Sequence, residues 1–252
     1  MIPSHSVTGS GEPVVLVNSL GAVREMWNPQ VEALSAHFKV VRFDTRGHGA
    51  TQSPPGKWTV DDLADDVVDL LDGLGIERAH LVGISLGGAT AMRLSVRDPE
   101  RVGRLAVVSA APRFGTPESW RERAAAVRES GTAALADATM TRWFSPGFRA
   151  ERPEVVARFR EAFGACDTEG YAACCGVLER LDLGDQIERI AAPTLVVGGG
   201  DDPSTTADDA RALAARIPGA RVQVLDQARH LLTAEVPDQF NAALLDFLQE
   251  RS

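Results

Sequence analysis

The fold of this chain is decided by the stretch His80-Leu81-Val82-Gly83-Ile84-Ser85-Leu86-Gly87-Gly88-Ala89. Its apolar run, residues 81–84, predicts a short strand that is buried on both faces of a sheet. The run stops at a serine set between glycines, and the small residues that follow predict the start of a helix. Residues 83–87 fit the pattern G-x-S-x-G, in which a serine occupies a strained strand-to-helix turn and holds its hydroxyl above the sheet edge.

The spacing of the two glycines has a steric cause. A turn this tight leaves no room for a Cβ atom two positions before or after the serine, and Gly83 and Gly87 carry none. The following helix points its first N–H groups and the positive end of its dipole toward Ser85. A plain glycine-rich turn fits these residues equally well, whereas G-x-G-x-x-G and G-x-x-x-x-G-K-[ST] do not fit. The rest of the chain must therefore decide.

Composition indicates a globular protein with a sizeable core. The 252 residues are 44% hydrophobic and 24% charged, and the net charge of −9 argues against nucleic acids and anionic membranes as partners. No apolar run approaches the ~20 residues of a membrane span, and the N-terminus lacks the pattern of a signal peptide, so we expect a cytoplasmic protein. The three cysteines, two of them adjacent, match neither a disulfide framework nor a metal site.

Strands alternate with helices at both ends of the chain. Strands are expected at 13–19, 39–44, 81–84, 104–109, 193–197 and 221–225. Helices are expected at 29–38, 61–74, 86–97, 206–217 and 237–248, with Asp61 as the N-cap of the second. Such alternation implies a mostly parallel, doubly wound sheet that is covered on both faces.

The alternation stops between Thr116 and about Glu188, where only helical segments are found. They are expected at 117–130, 132–144, 153–163 and 168–181. The sequence therefore predicts one α/β core, built from residues 1–115 and 189–252, with an all-helical cap, residues 116–188, inserted over the active-site edge.

A serine nucleophile needs a base, usually a histidine that a carboxylate orients. In open α/β sheets these groups lie at the carboxyl ends of the strands. Strand 193–197 leads to Asp201 and Asp202, and strand 221–225 leads to His230, so either aspartate gives the chain order Ser…Asp…His. His48 also follows a strand, but it precedes the serine and lies in a tight turn, which makes it the less favoured base.

The oxyanion of the tetrahedral intermediate needs two backbone N–H donors. Leu86, the residue after the nucleophile, supplies one of them. The loop after strand 13–19 is expected to supply the other, from Leu20.

With these residues in place, the chain resembles the α/β-hydrolases and, more narrowly, the 3-oxoadipate enol-lactonase family. The matching segments are Asn18-Ser19-Leu20-Gly21, Met26-Trp27-Asn28-Pro29-Gln30, Asp44-Thr45-Arg46-Gly47-His48-Gly49, Ser85-Leu86-Gly87-Gly88, Gly115-Thr116-Pro117-Glu118-Ser119-Trp120, Arg142-Trp143-Phe144, Gly170-Tyr171-Ala172-Ala173-Cys174-Cys175 and Asp202-Pro203. The serine turn and the Arg-Gly-His-Gly turn are shared by many α/β-hydrolases. The Asn-Ser-Leu-Gly start and the cap segments are the specific part.

Two departures from the family pattern stand near the acid and the base. Residues 198–200 are three glycines directly before Asp201, and His230 is followed by Leu-Leu-Thr where relatives commonly have a serine and an asparagine. Within the resemblance, the proline after Asp202 favours Asp202 as the acid.

The resemblance implies hydrolysis of 3-oxoadipate enol-lactone to 3-oxoadipate, a late step in the breakdown of protocatechuate and catechol. The substrate would be a small anionic lactone, and no metal or organic cofactor is required. Ser85 would attack the lactone carbonyl with His230 as base. Substrate contacts are expected from four residues: Ser19, Trp27, Arg142 and Trp143. Arg142 would bind the acetate arm and Trp143 would form a wall beside the ring.

Other functions fit the same residues. A general carboxylesterase or a cofactor-free haloperoxidase-like hydrolase would use the same triad, and a small-molecule binding protein could retain it as a vestige. Haloalkane dehalogenases and epoxide hydrolases are excluded because they need an aspartate where Ser85 stands.

Overall fold

The computed structural model describes residues 2–250, which form a seven-stranded sheet with helices around it. The strands are β1 (His5–Thr8), β2 (Pro13–Val17), β3 (Lys39–Phe43), β4 (Ala79–Ile84), β5 (Val102–Val108), β6 (Thr194–Gly199) and β7 (Arg221–Leu225). Their order is β1-β3-β2-β4-β5-β6-β7, with β1 antiparallel to β3 and all other neighbours parallel. The predicted mostly parallel α/β sheet is therefore confirmed.

The helices lie mainly where the apolar periodicity predicts them. They are α1 (Asn28–Ser35), α2 (Val60–Gly73), α3 (Leu86–Arg97), α4 (Pro117–Ser130), α5 (Ala136–Trp143), α6 (Pro146–Glu151), α7 (Pro153–Gly164), α8 (Thr168–Arg180), α9 (Ala207–Arg216), α10 (Leu232–Glu235) and α11 (Pro237–Gln249). The central strand β4 and its neighbour β5 are almost entirely buried, which requires helices on both faces of the sheet. Among residues 2–250, no helix is long and apolar enough to cross a membrane.

Helices α4 to α8 follow one another between β5 and β6, and we refer to them as the helical insert. Its contacts with the core include hydrogen bonds to two loops. Leu231 N–H donates to Trp143 O at 3.1 Å, after β7, and the Cys166 thiol donates to Gly21 O at 3.5 Å, after β2. The insert therefore contacts the loops at the carboxyl ends of the strands.

Three short elements were not predicted: β1, α6 and α10. Strand β1 is a four-residue edge strand whose side chains are half-buried or exposed, so it has no apolar run and is held by its pairing with β3. Helices α6 and α10 span six and four residues, which is too short to show a helical period.

The N-cap of α2 is Thr59, not Asp61 as expected. The Asp62 N–H donates to Thr59 Oγ1 at 3.3 Å and the Thr59 N–H donates to Asp62 Oδ2 at 2.7 Å, which completes a capping box. Asp61 lies inside the first turn and instead binds Arg93, whose Nε is 2.7 Å from Asp61 Oδ1. The prediction was wrong by two residues: the helix begins at Val60, and its N-cap is the residue before it.

The cap of α2 gives a direct test of this assignment. Thr59→Ala should lower the free energy of unfolding by about 1 kcal/mol, because it removes the acceptor for the Asp62 N–H. Thr59→Ser keeps the hydroxyl and should leave stability unchanged in the same denaturant titration. An equal loss in both variants would show that the methyl group, and not the cap, is what matters.

Candidate active site

Ser85 occupies a strained turn between β4 and α3. Its φ of 56° and ψ of −118° lie outside the regions that non-glycine residues normally adopt. The strain is held by neighbours: the Ser85 N–H donates to Val108 O of β5 at 2.9 Å, and the Ala89 N–H donates to Ser85 O at 3.0 Å. The serine is 8% exposed, so little water reaches it.

The glycines around Ser85 are required by backbone contacts. A Cβ on Gly83 would lie 2.2 Å from the Gly87 carbonyl oxygen, and a Cβ on Gly87 would lie 2.2 Å from Val17 O. Only glycine fits at either position. The second contact also joins the start of α3 to the end of β2.

His230 and Asp202 form a buried pair after β7 and β6. His230 Nδ1 lies 2.8 Å from Asp202 Oδ2, and the two residues are 5% and 3% exposed. The Thr205 hydroxyl donates to Asp202 Oδ2 at 2.7 Å, and the Ser204 N–H donates to Oδ1 at 2.8 Å. Burial alone would raise the pKa of Asp202, but His230 and these donors outweigh it and lower the pKa. The lowered pKa favours the anionic form of Asp202, which lies against His230 Nδ1.

Asp201, the alternative acid, points into solvent. The glycine run before it explains how its neighbour reaches His230. A Cβ on Gly199 would lie 2.5 Å from Ala228 O, so glycine lets the β7 loop pack directly on the β6 loop. The Asp201 N–H donates to the same Ala228 O at 3.0 Å, which fixes the register of the two loops.

The loop of residues 18–21, which follows β2, is fixed by side chains from the core. Asn18 donates to Phe43 O at 2.8 Å and accepts from the Trp27 indole at 2.9 Å. Trp27, expected to contact substrate, is completely buried here, and its indole supports the loop through Asn18. Ser19 is buried within the same loop.

His48 does not take the position of a catalytic base. Its Nε2 accepts the Gly21 N–H at 2.9 Å, and its Nδ1 lies 3.1 Å from Arg46 O. Both ring nitrogens are therefore used within the core loops, whereas His230 has a buried carboxylate partner and lies at the same sheet edge as Ser85.

The helical insert holds the backbone on both sides of His230. Trp143 O accepts the Leu231 N–H at 3.1 Å. The Glu235 carboxylate accepts the Arg229 N–H and the Ser145 N–H, each at 2.8 Å, and so bridges the β7 loop to the insert. Glu235 was not predicted, and its only sequence signal is an acidic residue within an otherwise apolar segment, 231–236.

Trp143 also belongs to an aromatic cluster of the insert. Its ring packs edge-on against Phe144, Phe159 and Phe163, with centroids 6.5, 6.1 and 5.7 Å away. The residue is 4% exposed, so most of its ring is core and only a small part could line a ligand site.

Two half-buried arginines of the insert share one polar partner. Arg142 and Arg123 both donate to Thr139 Oγ1, at 3.3 and 3.1 Å, and Arg123 Nε donates to the Tyr171 hydroxyl at 2.7 Å. Within residues 2–250, neither guanidinium forms an ion pair with a carboxylate. Burial, and then the charge of Arg123, lower the pKa of Arg142. In this part of the chain, the two guanidinium groups therefore carry positive charge with no carboxylate bound to them. Arg123 was missed because nothing in its sequence context distinguishes it from the other arginines of α4.

Comparison with known proteins identifies the class. Residues 12–235 match the family model described as the α/β hydrolase fold. The chain therefore belongs to the α/β-hydrolase family, a family of ester and lactone hydrolases in which a serine nucleophile is typical.

Enol-lactonases are among its relatives, as the resemblance in the sequence predicted. The 3-oxoadipate enol-lactonase 2 of Acinetobacter baylyi is 38% identical over 92% of this chain and 86% of its own. The crystal structure of an enol-lactonase from Burkholderia xenovorans LB400 superposes with a TM-score of 0.96 at 41% identity, covering 98% and 96% of the two chains. A thermophilic esterase from Thermogutta terrifontis gives a TM-score of 0.93 at 31% identity, covering 98% and 92%.

The different positions of Asp202 and Asp201 give a prediction with a matched control. Asp202→Asn should lower kcat/KM by up to about 10⁴-fold, because the amide no longer holds the imidazole in the productive tautomer. Asp201→Asn, the adjacent and exposed aspartate, is the matched control and should change little. The opposite ranking, measured on any activated ester, would show that Asp202 is not the acid.

Proposed function

We propose that Ser85, His230 and Asp202 form a catalytic triad that hydrolyses a lactone through an acyl-enzyme. The observation that carries this proposal is the buried 2.8 Å contact between His230 Nδ1 and Asp202 at the sheet edge where the strained Ser85 stands. Asp202 occupies Nδ1, so the remaining nitrogen, Nε2, is the one free to take the serine proton.

The oxyanion hole is assigned to the N–H groups of Leu20 and Leu86. Leu86 is the first residue of α3, where backbone N–H groups have no partner within the helix. In the 18–21 loop the Gly21 N–H is bound by His48, and the next N–H, of Ala22, donates to Ser19 O at 3.1 Å. These bonds occupy the two N–H groups that follow Leu20, and the Leu20 N–H is assigned as the donor. The close packing of Gly87 on Val17 O brings the two donors together.

The reaction then follows with balanced proton transfers. The Ser85 oxygen adds to the lactone carbonyl while its proton moves to His230 Nε2. The ring C–O bond breaks and the enolate leaves as part of the same acyl chain; it takes the proton from His230 and becomes a ketone, which leaves His230 neutral. His230 then takes a proton from water while the hydroxide attacks the acyl-enzyme. The proton passes from His230 to Ser85 as the keto acid is released.

The proposed substrate is 3-oxoadipate enol-lactone, whose acetate arm is a carboxylate. A chain of net charge −9 repels such a substrate overall, so a local cation must compensate. Arg142 and Arg123 supply two guanidinium groups without an acidic partner, and a guanidinium binds a carboxylate through parallel hydrogen bonds. Trp143 and Ser19 remain candidate contacts for the ring. The helical insert and the residues that flank it, together 116–188, are proposed as a cap that excludes water from this site.

The second candidate is a general carboxylesterase, which would use the same Ser85 and His230. The two functions differ in what the arginine pair does. An enol-lactonase depends on it, whereas an esterase acting on neutral esters does not.

The proposed function is tested by an ultraviolet assay of enol-lactone consumption beside p-nitrophenyl acetate. We expect the wild type to prefer the enol-lactone in kcat/KM. Ser85→Ala should lose several orders of magnitude on both substrates while its circular dichroism stays unchanged. More than a few per cent of activity in Ser85→Ala would rule out the triad, and a preference for the neutral ester would favour the esterase.

The arginine pair gives a prediction on specificity. Arg142→Ala should lose about 1.5–3 kcal/mol in kcat/KM for the enol-lactone, the usual contribution of a charged hydrogen bond, and Arg123→Ala should show a similar loss. Neither should affect p-nitrophenyl acetate. Arg158→Ala, which removes the same charge from an exposed position on α7, is the control. Equal losses on the anionic and the neutral substrate would mean that the substitutions only damage the insert.

A further inference from the structure

The backbone of Gly21 is held by hydrogen bonds from the core and from the insert. Its N–H donates to His48 Nε2 at 2.9 Å, and its carbonyl accepts the Cys166 thiol at 3.5 Å. Gly21 has a φ of 82°, and a Cβ there would lie 2.5 Å from the Phe163 ring. The peptide that follows Leu20 is therefore fixed in one orientation.

The bonding partners of His48 determine its tautomer. Arg46 O can only accept, so the Nδ1 that faces it carries the proton. The Gly21 N–H can only donate, so Nε2 presents its lone pair. His48 is 1% exposed, and burial lowers its pKa in spite of Asp44 and Asp167, which act in the opposite direction. The ring thus remains a neutral acceptor.

His48 is itself held rigidly. Arg46, two residues earlier, binds Asp66 through Nε at 2.6 Å and through a second nitrogen at 2.7 Å, which anchors the turn to α2. From the insert, the Tyr171 ring packs against the imidazole with centroids 6.4 Å apart. An acceptor that is fixed from both sides can define where the Gly21 N–H points.

We propose that His48 is a positioning residue of the oxyanion hole: its Nε2 fixes the Leu20–Gly21 peptide and thereby aims the Leu20 N–H at the oxyanion. This inference rests on the proposed serine hydrolase function and adds a residue to it. If the acceptor is removed, the Gly21 N–H loses its partner, the peptide rotates, and the Leu20 donor moves off its target. Misplacement of a catalytic group by about 1 Å costs on the order of 10²-fold in rate.

The test compares His48→Leu, which removes the acceptor, with His48→Gln, whose Oε1 can reach the place of Nε2. With p-nitrophenyl acetate, His48→Leu should lower kcat by roughly 10- to 100-fold with little change in KM. It should also weaken inhibition by benzeneboronic acid, which places an oxygen in the oxyanion hole, by a similar factor. His48→Gln should recover most of both. His80→Leu removes a buried histidine at the start of β4, the opposite sheet edge, and should leave kcat unchanged.

Each outcome decides the proposal. Unchanged kcat and boronate affinity in a folded His48→Leu would overturn it, and so would a His48→Gln variant as impaired as His48→Leu. Failure of the proposed function is a different result, because Ser85→Ala would then retain activity in the same assay.

A second measurement needs no variant. The ¹⁵N chemical shifts of the His48 imidazole in the wild type should show a protonated Nδ1 and an unprotonated Nε2 at neutral pH. If Nε2 carries the proton, it cannot accept from Gly21 and the proposal fails. This readout stands even if His48→Leu does not fold.

Discussion

The contact between the start of α3 and the end of β2 is the constraint on which the site depends. Because Gly87 has no Cβ, its backbone packs directly on Val17 O. In the proposed oxyanion hole, this packing brings together the two elements that carry the Leu20 and Leu86 N–H groups. The strain at Ser85 persists because β5 and the first turn of α3 bind its backbone on both sides. The turn is thus shaped by the sheet before any substrate arrives.

The same principle recurs wherever the candidate site joins two elements. Gly199 lets the β7 loop pack against its backbone, which sets the distance from Asp202 to His230. A Cβ on Gly47 would lie 2.5 Å from the Cα of Gly170, so the insert also contacts the His48 turn backbone to backbone. Backbone atoms have no rotamers, and contacts between them leave less freedom than contacts between side chains. These close backbone contacts consequently hold the insert and the loops at fixed distances.

Features that local sequence determines could be predicted, and features that tertiary contacts determine could not. Apolar runs and glycine spacing predict the strand 81–84 and the helix after it. The order of Ser85, an aspartate and His230 along the chain follows from the positions at which the strands end. Trp27 was assigned to substrate from a family motif, yet its place is set by Asn18 across the loop, which no pattern shows. Glu235 could not be predicted for the same reason, because the two N–H groups that it accepts, those of Ser145 and Arg229, lie in different parts of the fold. The choice between Asp201 and Asp202 required a motif, because two adjacent carboxylates have the same local chemistry until the backbone register is known.

The arginine pair shows why the charges around one position must be considered and not only the net charge of the chain. Most arginines of the chain bind carboxylates, as expected with 35 acidic residues for 26 basic ones. Burial disfavours the charge of Arg142, and the neighbouring charge of Arg123 adds to that cost. A fold selected only for stability would place a carboxylate or an apolar side chain there, since half-buried charges without a counter-ion destabilise. The arrangement makes physical sense if an anion completes it, which is what the proposed anionic substrate would do.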